Sequence, residues 1–365
     1  MQIICLKETL VNNVNIVLKA ISQRTTVPIL ECILLEATDI FKITANNLEM
    51  AIETAPIEVD IVEPGSIAID AKMFFDIIRR LPEEKIILTA ETNNTVYIKS
   101  GKVEFKIFGQ NPEEFPELPS VEKLEKYTIK IPTLKNMIKQ TIFSISTLED
   151  KPVYMGELLE IEDGVLTMVA VDNFRVSLRK EALEEAGSDI ITIIPGKSLS
   201  ELAKILGTEG VVNIYFSEKH VLFETTECIL ISRLIEGDFL KYKQVLSQDH
   251  TTTFSLPTKE ILASLERCML ISSDNKKTPV VFKITSNNLV ITSKADAADL
   301  YDELGIEMMG RELTISFNPK FLVDAIKVID EDVISLGFNT ALSPCIITEQ
   351  NGDRYKYLVL PLRPN

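Results

Sequence analysis

Apolar residues recur at positions i, i+3, i+4 and i+7 in six stretches of the chain, and each stretch reads as an amphipathic helix with one packed side and one free side. Leu10, Val14, Val17, Leu18 and Ile21 trace the stripe of the first, and Leu134, Met137, Ile138 and Ile142 that of the third. Three of the six lie in segments ending on an Ile-Ser pair, at residues 6–22, 131–146 and 256–272. The other three follow a strand-like run without a break, in segments that begin at Gly65, Ser188 and Arg311. Between them the period changes to two. Short runs rich in Val, Ile, Thr and Tyr, such as 95–99 and 103–108, flank turn signals at Asn93-Asn94 and Ser100-Gly101 and predict hairpins.

The whole order of elements returns about every 120 residues, too long a period for a solenoid and long enough for a domain with its own core. The pattern therefore predicts three copies of one domain, over residues 1–122, 123–249 and 250–365, in the α+β class. Antiparallel sheets should carry a pair of helices on one face of each copy. Pro112, Pro116 and Pro119 mark residues 111–120 as an extended linker out of the first copy, and 247–251 hold the same place after the second.

Composition adds little until charge is placed on this pattern. The 365 residues are 45% hydrophobic and 25% charged, as in an ordinary globular protein. The first twenty residues, with Lys7, Glu8 and Lys19, do not resemble a signal peptide, and the expected location is the cytosol. Cys5, Cys32, Cys228, Cys268 and Cys345 are scattered without metal spacing and read as reduced core thiols. A net charge of -16 argues at first against a polyanionic partner. The six helices, however, at 7–22, 72–81, 133–147, 197–206, 258–272 and 319–329, together carry +7, which leaves -23 on the rest of the chain. If they share one face, that face is basic while the remaining surface repels polyanions. Its cations would be Arg24, Lys72, Arg79, Arg80, Lys135, Lys139, Lys197, Lys204, Lys259, Arg267, Lys320 and Lys327.

Catalytic chemistry is hard to find. Pro195-Gly196-Lys197-Ser198 stands between a strand and a helix as a phosphate loop would, but the position of the required first glycine is Ile191. The equivalent junctions in the other copies, at Asp70-Ala71-Lys72 and Asn318-Pro319-Lys320, keep only a lysine near a helix start. His220 and His250 have no second histidine at metal spacing, and the carboxylate pairs Glu83-Glu84 and Glu184-Glu185 sit in polar, turn-like or helical stretches. No enzyme, cofactor or metal is expected. Two rivals stay open: an acidic protein scaffold that binds no DNA, and a nucleotide hydrolase using Lys197 and Ser198.

Three further stretches carry a resemblance. Arg24 with Thr26-Val27-Pro28-Ile29-Leu30, the run Val171-Asp172-Asn173-Phe174-Arg175-Val176, and the ending Val359-Leu360-Pro361-Leu362-Arg363 are similar to those of the bacterial DNA polymerase III beta subunits, the replicative sliding clamps, and the likeness runs the length of the chain. The resemblance implies a head-to-tail homodimer whose six domains close a ring around duplex DNA, with helices on the inner face and sheets outside. It implies a dimer interface at Phe105 and Ile107 on one edge and Leu270 and Ile271 on the other. It also implies a groove between copies two and three for short, partly apolar motifs of polymerases and clamp-loader subunits. By position, Tyr154, Val171, Asn173, Arg175, Val176, Leu240, Val245, Pro344, Val359, Leu360, Pro361 and Leu362 would line it. The residues themselves agree on one point: 357–362 are apolar on both alternating faces, so both should be covered. The chain departs from the family at Asn173-Phe174, where Gly-His is usual, at Gln244, where arginine is, and in the two extra residues Pro364 and Asn365. Asn173 is expected to take the left-handed turn that glycine favours.

Overall fold

The structure is a computed structural model that describes every residue except 23–24, 149–150, 247–248, 272–277, 297 and 364–365. Its seven helices among the described residues are α1 (Lys7–Val17), α2 (Ala71–Arg79), α3 (Ile131–Thr141), α4 (Gly196–Ile205), α5 (Tyr242–Leu246), α6 (Thr258–Ile271) and α7 (Pro319–Ile326). Six correspond to the six apolar stripes. Several stop short of the stripe because the last turn tightens, as at Leu18–Ala20 after α1 and Ile142–Ser144 after α3. Asp70 caps α2 by accepting from Met73 N at 2.6 Å, and Asn318 caps α7 ahead of Pro319 by accepting from Lys320 N at 3.1 Å. At these two junctions the free backbone N–H groups of the helix start are thus met by a side chain of the chain itself and not by a phosphate.

The chain divides into two compact units, residues 1–131, 184–187 and 200–234, and residues 132–183, 188–199 and 235–365. The first holds a five-stranded sheet, ordered Asp60–Glu63, Gln2–Leu6, Lys85–Ala90, Thr95–Ser100, Val103–Phe108. It also holds an eight-stranded sheet, in which Cys228–Arg233 of copy two pairs antiparallel with Met50–Thr54 of copy one. The second unit repeats the plan. A nine-stranded sheet joins Arg175–Ala182 of copy two to Tyr355–Val359 of copy three, and a four-stranded sheet ends on Asp299–Gly305. Within the units α1 packs on α2 and α6 on α7.

These two joints, the first and second seams, match bond for bond. At the first, Ala51 faces Ile231, Arg233 N donates to Glu49 O at 2.8 Å, and Ala55 N donates to Glu227 O at 2.7 Å. At the second, Val176 faces Leu358, Leu360 N donates to Phe174 O at 2.8 Å, and Lys180 N donates to Arg354 O at 2.7 Å. The turn before each seam is likewise held by one side chain. Asn47 Oδ1 accepts from Glu49 N and Met50 N, and Asp172 Oδ1 from Phe174 N and Arg175 N. All three copies also end alike, with Gln110 N on Ala68 O, Ile235 N on Ile193 O and Leu362 N on Ser316 O, at 2.8, 2.9 and 2.8 Å. The repetition read from the sequence is therefore a repetition of backbone chemistry.

Residues 111–120 do form a connector, with one short turn at Pro112–Glu114. The connector after copy two is different from the expected 247–251. The chain leaves the sheet at Ile235 and folds into α5, and residues 247–248 lie outside the described residues. All five cysteines are buried and free. No helix among the described residues is long and apolar enough to cross a membrane.

Candidate protein-binding groove and duplex-facing surface

The strand Tyr355–Val359 is covered on both faces, as its pattern requires. Tyr355, Tyr357 and Val359 belong to the core under α6 and α7, while Leu358 joins an outer cluster with Leu158, Val169, Val171, Val176, Leu178, Ile193 and Ile346. Tyr242 and Leu246 of α5 are buried in that outer cluster. Tyr154, Phe239, Leu240 and Val245 pack against it half-buried, forming a wall that is apolar but open on one side. Phe239 and Tyr154 meet edge to face at 5.6 Å. Leu360, just past the strand, keeps 38% of its surface exposed.

On the side of the core under α6 and α7, the turn that precedes the second seam is aromatic and ionic. Arg175 donates to Asp172 Oδ2 at 3.0 Å and to Asp324 Oδ2 at 2.9 Å, and its guanidinium lies 4.7 Å from the Phe321 ring centre and 5.4 Å from that of Phe143. Burial pushes the Asp324 carboxyl up, but hydrogen bonds from Lys327 and Arg175 outweigh it and hold the group below the usual carboxylate range. Phe174 stacks on Phe321 at 5.5 Å and remains 47% exposed. With both carboxylates committed to cations, the arrangement offers apolar contact and fixed shape, and nothing in it resembles a nucleophile held by a base.

Of the twelve groove residues expected, Tyr154, Val171, Val176, Leu240 and Val245 gather in the outer cluster, while Arg175 is half-buried against Phe143 and Phe321 and Leu360 is exposed. Asn173 is exposed, and Pro344, Pro361 and Leu362 are half-buried. Val359 is misplaced by the sequence reading: its side chain is in the opposite core, and Leu358 takes the groove side, because one residue along a strand reverses the face. Asn173 is not left-handed either. Among the described non-glycine residues only Leu48, Asn94 and Asp163 have positive φ, so the Asp172 cap alone suffices for that turn. Leu358, Ile346 and Phe239 were missed. Alternation from Leu360 would have found Leu358; the rest come from distant segments and leave no local signal.

Ten of the eleven described helix cations are exposed, and Lys135 is half-buried; Arg24 lies outside the described residues. Arg79 and Arg80 reach Asp76 at 3.2 and 3.9 Å, Lys139 reaches Asp330 at 3.5 Å and Lys204 reaches Glu201 at 2.7 Å, while Arg267 and Lys327 pair with Asp302 and Asp324. Much of the positive charge is thus answered locally, which suits weak phosphate contact and not tight binding. On the edge strand Val103–Phe108, Phe105 is 39% exposed, and at the end of α6 Leu270 is 86% exposed. Ile107 differs from expectation, since it is already buried in its own sheet, and Ile271 is half-buried.

Comparison with known proteins agrees with this geometry. The N-terminal, central and C-terminal domain models of the DNA polymerase III beta subunit match residues 1–119, 128–241 and 243–363 in turn. The beta sliding clamp of Halalkalibacterium halodurans is 35% identical over 374 residues, with 98% of each chain covered. The crystal structure of a putative DNA polymerase III beta subunit from Eubacterium rectale superposes with a TM-score of 0.96 at 36% identity, covering 99% of each chain. That of the DNA polymerase sliding clamp from Bacillus subtilis does so with a TM-score of 0.97 at 32% identity over 100% of both. Two units built on one twice-used seam, an open apolar groove at the second of them and three consecutive domain matches place the chain in the DNA polymerase III beta subunit family, the sliding clamps.

Proposed function

We propose that two copies of this chain, each divided at about residues 122 and 249, join head to tail into a ring that encircles duplex DNA. As a sliding clamp the protein is a non-catalytic accessory of a DNA polymerase. The observation that supports the ring is one exposed sheet edge in each compact unit. Val103–Phe108 and Asp299–Gly305 are outermost in their sheets, with Phe105 bare on the first and Leu270 bare on α6, which packs beside the second, and a free edge of this kind invites pairing with another chain. Joining the first edge of one copy to the last of its partner removes both, and doing so twice closes the assembly. The helix cations would then face the duplex and position it without reading sequence. The acidic scaffold rival has no use for that charge bias, and the hydrolase rival needs a phosphate cradle where α4 has only a helix start.

The groove at the second seam would receive short apolar motifs of the polymerase and clamp-loader subunits, so that one surface serves partners in turn. Replacing Leu360 and Leu362 with Ala should abolish binding of such a motif peptide in a fluorescence anisotropy titration. Sedimentation should still show a two-chain particle. Unchanged peptide affinity in that variant would refute the groove.

A further inference from the structure

Helix α5 is five residues long, too short to hold its shape or its place by its own hydrogen bonds, so what it touches decides where it stands. Tyr242 and Leu246 are buried in the outer cluster, while Leu240 just before the helix and Val245 within it are the half-buried residues lent to the groove wall. Apolar contact of this kind is non-directional and tolerates sliding. There is room to slide. An open cavity of about 390 Å³ lies behind the helix, lined by Tyr242, Lys243 and Leu246 on one side and by Glu160, Thr167 and Leu178 of the sheet on the other.

The directional contact is a carboxylate in that cavity. Glu160, in the strand Gly156–Glu162, is 8% exposed, and both its oxygens are given to α5: Oε2 accepts from the Tyr242 hydroxyl, and Oε1 accepts from Lys243 Nζ at 2.9 Å. Neither oxygen has another partner among the described residues. Burial and the hydrogen bond to Glu160 push the Tyr242 phenol above its ordinary range, so it keeps the proton it donates. Lys243 also reaches the exposed Glu162 at 2.8 Å. Copy one holds a glutamate in the same register, since Glu36 stands opposite Ser66 as Glu160 stands opposite Ile191. Glu36 is only half-buried and has no ion pair among the described residues. A carboxylate taken out of water needs charged or hydrogen-bonding partners, and at Glu160 α5 supplies all of them.

We propose that Glu160 is a positioning residue for the groove, taken as the protein-binding site argued above: its carboxylate fixes α5 on the sheet and so sets Leu240 and Val245 against the bound peptide, which it does not itself touch. Loss of either partner leaves the helix to apolar contact beside an open cavity.

The test is the affinity of the full-length protein for a labelled polymerase motif peptide, read by fluorescence anisotropy in the wild type, Tyr242→Phe, Glu160→Gln and the double variant. Each single change is expected to weaken binding about fivefold, the scale of one lost hydrogen bond, in protein that urea unfolding shows to be folded. Because both act through one contact, the double variant should bind no more weakly than the weaker single. Lys243→Met, an exposed change that leaves the fold alone, should weaken binding about twofold. Wild-type affinity in either single variant would overturn the inference, as would single effects that multiply in the double, since the two residues would then act separately. Should the buried changes unfold the protein, Lys243→Met decides, and an unmoved affinity there overturns it. If peptide binding needs Leu360 and Leu362 but ignores Glu160, the inference falls alone. If the wild type does not bind, or binds without need of those leucines, the groove reading falls and takes the inference with it.

Discussion

The two seams share a backbone and differ in what they bury beneath it. On the inner face of the first, Ile52 and Leu230 stand opposite each other, fully buried, near the apolar stripe of α1. The matching pair at the second is Ser177 and Tyr357. Ser177 hydrogen-bonds Ser144 just after α3, and the buried Arg179 beside it pairs with Glu181. The Tyr357 hydroxyl has no partner among the described residues, and its ring packs edge to face on Phe143, which itself backs Arg175. The backbone pattern therefore dictates where a seam forms, and the side chains decide whether it is a plain core or a polar base under a binding surface. A polar interior contributes less net stability than an apolar one of equal shape, since each buried group must recover its lost hydration.

The pH dependence of the second unit should give the largest contrast. Glu157 is fully buried, and burial pushes its carboxyl from 4.5 up to about 8. Its Oε2 lies 2.7 Å from Thr141 Oγ1, whose single proton also faces Met137 O at 2.8 Å, so a protonated Glu157 lets both contacts be made. Because the folded pKa is raised, the contribution is complete below about pH 4.5 and is lost as pH rises through about 8. Glu157→Gln should flatten this slope, worth about 3 to 5 kcal/mol across the window, in urea unfolding followed from pH 5 to 9. A slope that survives the substitution would assign it to another group. Next in size, Leu230→Ala opens a cavity in the first seam and should cost about 3 kcal/mol. Tyr357→Phe, which removes a hydroxyl with no partner, should change stability by less than about 1 kcal/mol. If the tyrosine change proved the costlier of the two, the second seam would be held by polar contacts and the contrast would fail.

Much of this was legible before any coordinates. Helical stripes gave six helices and their order, because a helix that buries one side must repeat its apolar residues at that spacing. The threefold period gave the copies. What the sequence hid is tertiary. Copy two is shared between both compact units, and no local pattern says that Cys228–Arg233 pairs with Met50–Thr54 while Arg175–Ala182 pairs with Tyr355–Val359. The groove was half visible, since Leu360 and its neighbours are apolar in a way one face cannot absorb. Its far wall was not: Phe239 comes from a segment whose own pattern asks only for ordinary packing. Helix α5 escaped because five residues are too few for a periodic signal.

The most direct test of the account concerns topology. The protein should be loaded on a closed DNA circle, washed in salt high enough to strip an electrostatic binder, and assayed for retention before and after the circle is cut. Encirclement predicts that it survives the wash on intact circles and slides off once they are linear. Equal loss from intact and cut circles would contradict it.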